Sequence, residues 1–178
     1  MTNVLYIDTL TDAEMAGVEA RLRPRRSSFS GFLGQNESLK AVIHEDAETL
    51  KSLGITHEQI ADKLEYLVQN PQGDGKFKVN SLSTRGMQED PFQEKWTPGT
   101  YSNLDVTITN QDGESIRFGG PIIGLIRNYQ FFEGKEVSYR LDPTKAVRVL
   151  QIKPGETSIP QKTEATQQPH KPVVYRGR

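Results

Sequence analysis

Residues 103–132 have the sequence NLDVTITNQDGESIRFGGPIIGLIRNYQFF, and this stretch decides the fold. Its first residues alternate apolar and polar side chains, a period of two that is typical of a strand with one buried face. Residues 110–113, NQDG, contain asparagine and glycine, which tolerate the positive φ of a hairpin turn. Ile116 and Phe118 continue the alternation on a returning strand. We therefore predict a β-hairpin.

A helix is predicted directly after this hairpin. Gly119, Gly120 and Pro121 interrupt the sheet, and Pro121 suits the first position of a helix. The apolar side chains that follow keep helical spacing: Ile122, Leu125, Ile126, Tyr129 and Phe132, with Ile123 widening the face. So wide an apolar face is typical of a largely buried helix. We predict that it ends at Gly134.

Two further elements are predicted before the chain changes character. Three apolar residues alternate with polar ones and predict another strand: Val137, Tyr139 and Leu141. Asp142 before Pro143 is typical either of a turn into a last strand or of a helix N-cap followed by proline. We favour a short helix over residues 143–152, although its β-branched valines favour a strand.

The N-terminal half contains helical patterns. Residues 11–22 predict a helix with a capping box formed by Thr11 and Glu14. Residues 39–43 fit either a short strand or the start of a helix, and residues 46–53 predict a helix that ends at Gly54.

A further helix is predicted to begin at Thr56, which forms a second capping box with Gln59. Its apolar residues form one stripe: Ile60, Ala61, Leu64, Leu67 and Val68. Because the turn before Thr56 is very short, we expect the two helices to form an αα-hairpin.

Between the two halves lies a turn-rich break at residues 72–75. Residues 76–83 alternate imperfectly and predict a strand. Residues 85–100 contain glycine and proline and predict an irregular loop. Its large side chains are expected to pack on the core: Met87, Phe92 and Trp96.

These patterns predict an α+β fold, with an N-terminal helical hairpin packed against a small, mainly antiparallel sheet that carries a buried helix. We assign residues 1–34 to an N-terminal helix and basic linker. Residues 35–152 form a single domain with a helical half (35–71) and a sheet half (76–152). Residues 153–178 are rich in Pro, Gln, Thr and Lys without periodicity, and we expect a flexible tail.

Composition excludes several classes of protein. The chain has 178 residues, no cysteine and a net charge of -1. It therefore has no disulfide scaffold, no thiol nucleophile and no overall field that attracts nucleic acid. No stretch approaches the roughly 18 apolar residues of a membrane-spanning helix. We expect a soluble, cytoplasmic protein without membrane insertion.

No catalytic motif is present. The chain contains neither an HExxH zinc motif nor a GxSxG nucleophile elbow, so catalytic residues stay unassigned, and we expect no metal and no cofactor. His44 precedes Glu45 and Asp46, but neighbours in sequence do not converge on one site. We interpret His57, beside Glu58, as a solvated residue of the first helical turn.

The main functional hypothesis is a non-enzymatic protein-binding or assembly module, whose partner is another protein. The tail contains an apolar island that resembles a docking peptide in design: Pro172, Val173, Val174, Tyr175 and Arg176.

Two alternatives remain open. The protein could be a binding domain or an enzyme for a phosphate-bearing ligand, which would bind the backbone N–H groups of Gly119 and Gly120 with Arg127 or Arg140 as cationic partners. Nucleic acid could bind the basic run of residues 21–26, which we interpret instead as a solvated linker because so short a run binds phosphates weakly.

Overall fold

The computed structural model describes residues 4–25, 31–73, 75–93 and 101–156. A 3₁₀ helix over Tyr6–Thr9 comes first, and the described part of the chain then contains five helices and three strands. The helices are α1 (Asp12–Leu22), α2 (Leu39–Leu53), α3 (His57–Gln69), α4 (Ile122–Tyr129) and α5 (Pro143–Leu150). The strands are β1 (Lys78–Gln88), β2 (Tyr101–Thr109) and β3 (Ser115–Gly119). The predicted α+β class is confirmed.

Both predicted capping boxes are present. The Thr11 hydroxyl accepts a hydrogen bond from the Glu14 N–H at 3.3 Å, and the Thr11 N–H donates to the Glu14 carboxylate at 2.8 Å. Thr56 and Gln59 make the same reciprocal pair, at 3.2 and 2.8 Å. Each box satisfies N–H groups that a helix start leaves without partners.

The ambiguous segment 39–43 is the start of α2, which runs unbroken to Leu53. Ser38 caps its first turn, and Gly54 ends it in the left-handed conformation with φ 69°. The turn to α3 is short, as predicted. Helix α2 packs mainly against α5, while α3 packs mainly against α4.

The sheet is antiparallel, with strand order β1-β2-β3. The β2–β3 hairpin is confirmed, with Val106 opposite Phe118 and Asp105 opposite Gly119. The predicted loop over residues 85–100 is wrong for its first residues, which belong to β1. A register shift between Ser83 and Met87 absorbs the irregular residues, and pairing then resumes.

Phe92 is buried, as expected, and stacks on Tyr129 with ring centroids 4.1 Å apart. The Tyr129 hydroxyl donates to the buried Asp90 carboxylate at 2.6 Å. Trp96 lies outside the described residues.

Helix α4 begins after Pro121 as predicted but ends earlier than predicted. It stops at Tyr129, and Gln130 takes the left-handed conformation that Gly134 was expected to provide. Phe132 is therefore buried outside the helix. The predicted strand over residues 137–141 is also wrong, because the backbone N–H of Arg140 donates to Val137 in a turn instead of pairing with a neighbouring strand.

Helix α5 confirms the helical alternative for residues 143–152. The Asp142 side chain accepts the Lys145 N–H at 2.9 Å, and Pro143 occupies the first turn. The burial of Ala146, Val149 and Leu150 on one face outweighs the strand preference of the valines.

Two apolar clusters form the interior. The larger one joins α3, α4 and α5 to the inner face of the sheet. The smaller one joins the 3₁₀ helix, α1 and α2 to Phe92 and the end of α4. All residues of both clusters precede Lys153.

Two arginines of the basic run of residues 21–26 are fixed in place. Arg21 donates to the backbone oxygens of Pro91 at 2.9 Å and Phe92 at 3.3 Å. Arg23 donates to the backbone oxygens of Gly34 at 2.5 Å and Glu37 at 3.0 Å. The prediction of a solvated linker is therefore wrong for these two arginines, because their guanidinium groups satisfy loop carbonyls.

Candidate functional site

A cavity of about 670 Å³ lies between the 3₁₀ helix, α2, the α2–α3 turn and the residues that follow α4. We call it the histidine pocket. Its polar lining includes Asp8, His44, Glu48, Lys51, His57, Glu58 and Gln130, and its apolar lining includes Leu5, Ala47, Leu50, Ile55 and Phe132. A mixed lining and a volume of this size are typical of small-molecule sites.

His44 reaches the pocket from α2. Its Nε2 lies 2.7 Å from the Asp8 Oδ1, so a carboxylate from the N-terminal segment orients the imidazole ring. The two neighbours of His44 point elsewhere, since Glu45 pairs with Lys135 and Asp46 with Arg140. The side chains of the His44–Glu45–Asp46 triplet therefore diverge, as the sequence analysis argued.

His57 enters the pocket from the first turn of α3, with only 13% of its side chain exposed. Its Nδ1 lies 3.2 Å from a Glu58 carboxylate oxygen. Burial lowers the pKa of His57, against the opposing effect of the Glu58 charge. The prediction of a solvated residue is wrong, because the short α2–α3 turn brings the start of α3 against the end of α4.

Gln130 is the most unusual residue of the pocket. It has φ 58°, a conformation in which a residue with a side chain is less stable than glycine. Its Oε1 is buried, and no described residue donates a hydrogen bond to it. A buried acceptor without a donor destabilises a fold by about 1–3 kcal/mol. Strain and an unsatisfied acceptor at one residue are typical of functional sites.

The charge of the pocket is acidic. Among the described lining residues, Asp8, Glu48 and Glu58 contribute three carboxylates, against the single ammonium group of Lys51. Burial keeps His57 neutral at pH 7 because it lowers a pKa that is already below 7. The pocket therefore favours neutral or cationic ligands over anions.

The Gly120 N–H and the two arginines predicted to hold a phosphate are engaged within the fold. The Gly120 N–H donates to the Leu104 oxygen at 2.8 Å, and Pro121 has no N–H to offer. Arg127 donates to Asp62 at 2.5 Å and Glu65 at 2.7 Å, both on α3. These groups already have partners within the fold.

Arg140 is likewise engaged. It forms a fork with the Asp46 carboxylate, with distances of 2.6 and 3.0 Å. Gly119 lines a second cavity, and the charged side chains among its described lining residues are the carboxyl groups of Asp105 and Glu133. An anion has no cationic partner among the described side chains there.

Several residues of the predicted partner-binding and nucleic-acid-binding sites lie outside the described part of the chain. The tail residues Pro172, Val173, Val174, Tyr175 and Arg176, and Arg26 of the basic run, lie outside the described residues. Within the described ranges, no group of three or more acidic or histidine side chains could hold a metal ion. No helix of that part of the chain is long and apolar enough to cross a membrane.

No local pattern predicts the histidine pocket, because its residues come from distant parts of the chain. Asp8 and His44 are 36 positions apart, and no spacing rule relates them.

Comparisons with protein-family models, with curated proteins and with solved structures find no significant match.

Proposed function

We propose that the protein binds a small molecule in the histidine pocket. The observation that carries this proposal is Gln130, whose buried and unsatisfied Oε1 and left-handed backbone occur at the wall of a cavity of about 670 Å³. A ligand that brings an N–H or O–H donor to this wall would offset the destabilisation, once a small movement of the side chain exposes the oxygen.

The lining also indicates the chemical class of the ligand. The apolar side chains of Leu5, Ile55 and Phe132 provide a surface for an aliphatic or aromatic group. The imidazoles of His44 and His57 provide polar contacts at the other side of that group. Because carboxylates outnumber ammonium groups, the proposed ligand is neutral or cationic.

Three matched probes test this proposal: 2-phenylethylamine, 2-phenylethanol and 3-phenylpropionate, which share an aromatic group but differ in charge. We expect the amine and the alcohol to shift the backbone amide signals of Ala47, Ile55 and Gln130 in ¹H–¹⁵N spectra of the full chain. The carboxylate should shift them less, because the acidic lining repels it.

The variant Ala47→Phe fills the pocket and should abolish these shifts. Ala41→Phe is the matched control, because Ala41 is an exposed residue of the same helix and does not line the pocket. Binding that survives Ala47→Phe, or a preference for the carboxylate, would contradict the proposal.

The protein-binding function expected from the tail remains a second proposal, supported by the free edge of the sheet. Within the described chain β1 pairs only with β2, and Leu82 on β1 is 65% exposed. An apolar segment such as residues 172–176 could add there as a strand. If it does, Val174→Asp should speed hydrogen exchange of β1 amides in the full chain, whereas Val4→Asp, at another exposed valine, should not.

A further inference from the structure

The second cavity, of about 190 Å³, is lined by a buried carboxyl group that accepts no hydrogen bond from a described residue. Glu133 lines it and is only 2% exposed. Among the described residues, none donates a hydrogen bond to its carboxyl oxygens. Buried carboxyl groups are rare unless they are paired, so an unpaired one that faces a cavity indicates a binding role.

The backbone holds this carboxyl group in place. Glu133 has φ 68°, and its carbonyl oxygen accepts a hydrogen bond from Arg140 at 2.7 Å. The next two N–H groups are also fixed, since Gly134 donates to the Phe32 oxygen at 2.8 Å and Lys135 to the Glu37 carboxylate at 2.6 Å. Strained conformations of this kind persist only when the surroundings determine them, and here three hydrogen bonds do so.

Among the described residues, the rest of the lining has no basic side chain. Asp105 faces the cavity, but its carboxylate already pairs with Arg117 and accepts the Tyr139 hydroxyl at 3.2 Å. Phe32 adds an aromatic ring. The nearest cation to Glu133 is Arg140, whose guanidinium group is held by Asp46.

We propose that this cavity binds the ammonium or guanidinium group of a small organic cation, with the Glu133 carboxylate as its charge partner. The described lining offers an anion no cationic side chain, and Phe32 can contact the cation through its ring face. The volume of about 190 Å³ admits a short aliphatic amine rather than a large ligand. The histidine pocket shares no lining residue with this cavity, so the proposal stands apart from the function proposed above.

Cation binding at this position is coupled to proton release. Burial raises the pKa of Glu133 to about 8, against the opposing charge of Arg140. At pH 7 the free carboxyl group is therefore mostly protonated, and a bound cation stabilises its ionised form. The proton passes to the buffer, and close to one proton should be released for each cation bound.

Calorimetric titration of the full chain with n-butylammonium chloride tests this inference. Titrations at pH 7 in two buffers of different ionisation enthalpy give the number of protons released. We expect release of close to one proton at pH 7 and little at pH 9.5, where Glu133 is already ionised. Sodium butyrate and n-butanol, matched in length, should not bind.

Glu133→Gln should weaken n-butylammonium binding at least tenfold and abolish proton release. Glu136→Gln is the matched control, because it removes a carboxylate from an exposed position three residues away. Ala47→Phe should leave this binding intact, which separates it from the histidine pocket. Circular dichroism establishes that each variant is folded.

Three results would overturn the inference: butylammonium binding without proton release at pH 7, equal binding by Glu133→Gln, or no binding by the unaltered chain. If Glu133→Gln does not fold, the proton count of the unaltered chain decides alone.

Discussion

Two buried carboxyl groups lie close to the same arginine and differ in how they are satisfied. Asp46 on α2 is 3% exposed and accepts both arms of the Arg140 fork, at 2.6 and 3.0 Å. Glu133 is 2% exposed, but Arg140 contacts only its backbone oxygen, at 2.7 Å. Burial raises the pKa of both groups, and Arg140 opposes it in both.

The difference separates a structural role from a binding role. The Asp46–Arg140 pair joins α2 to the loop before α5, and its hydrogen bonds compensate for the lost hydration of both charges. Glu133 is largely removed from water, and no described residue donates a hydrogen bond to its carboxyl oxygens, so the fold is less stable when this group is ionised. A buried carboxyl group without a donor, such as Glu133, is understandable if a bound ligand supplies the missing partner.

Breaking the paired carboxyl tests the first half of this comparison and should have the largest effect. In Asp46→Ala the guanidinium group of Arg140, whose side chain is 11% exposed, remains buried without a counter-charge. We expect the free energy of unfolding at pH 7, measured by urea denaturation, to fall by about 3–5 kcal/mol.

Glu45→Ala is the matched control, because Glu45 is the preceding residue and pairs with Lys135 at the surface. Solvent screens such a pair, and its loss should change stability little. Similar losses for Asp46→Ala and Glu45→Ala would show that the buried pair is no more important than a surface pair.

Neutralising the unpaired carboxyl should have the opposite effect. The folded-state pKa of Glu133, about 8, exceeds the ordinary value of 4.5, so the folded state holds its proton more tightly than the unfolded state does. This contribution to stability is fully present below pH 4.5 and is lost as the pH rises through 8. Glu133→Gln should therefore match the unaltered chain at pH 4 and exceed it by about 2–4 kcal/mol at pH 9.

Urea denaturation across this pH range measures the difference. A Glu133→Gln variant whose advantage does not grow with pH would show that Glu133 is already ionised, and hydrated or paired, in the folded protein.

The sequence predicted what depends on local pattern. The capping boxes, the β2–β3 hairpin and the stripe of α3 each rest on residues within one turn or one hairpin. The strand predicted around Tyr139 failed because an alternation of apolar residues does not show whether a neighbouring strand is available for pairing. The prediction of a loop directly after Ser83 was wrong because a β-bulge can accommodate a glycine, here Gly86, within a strand.

The candidate sites could not be predicted in the same way. Folding brings Asp8 into contact with His44. It also places Glu133 and Gly119 in the lining of one cavity. The left-handed conformations of Gln130 and Glu133 also contradict local preference, which assigned that conformation to Gly134. Sequence reasoning fails here at the residues that carry the proposed functions, as expected if function and local stability conflict.

The smallest expected change in stability concerns the C-terminal ends of α4 and α5. Like the two carboxyl groups, these ends differ in whether a buried polar atom lacks a hydrogen-bond partner. Gln130 and Gln151 both end helices in the left-handed conformation, with φ 58° and 56°. Gln151 is exposed, whereas Gln130 also buries an Oε1 without a donor. Gln151→Gly should raise the free energy of unfolding by about 0.5–1 kcal/mol through relief of backbone strain alone.

Gln130→Gly should raise it further, because the substitution also removes the unsatisfied acceptor, and it should weaken 2-phenylethylamine binding in the histidine pocket. Thermal denaturation of the two variants side by side measures the difference. If Gln130→Gly is less stable than the unaltered chain, the Gln130 side chain contributes more by packing than it loses by strain. Its conformation would then belong to the fold, as the Asp46–Arg140 pair does, and would no longer indicate a binding site.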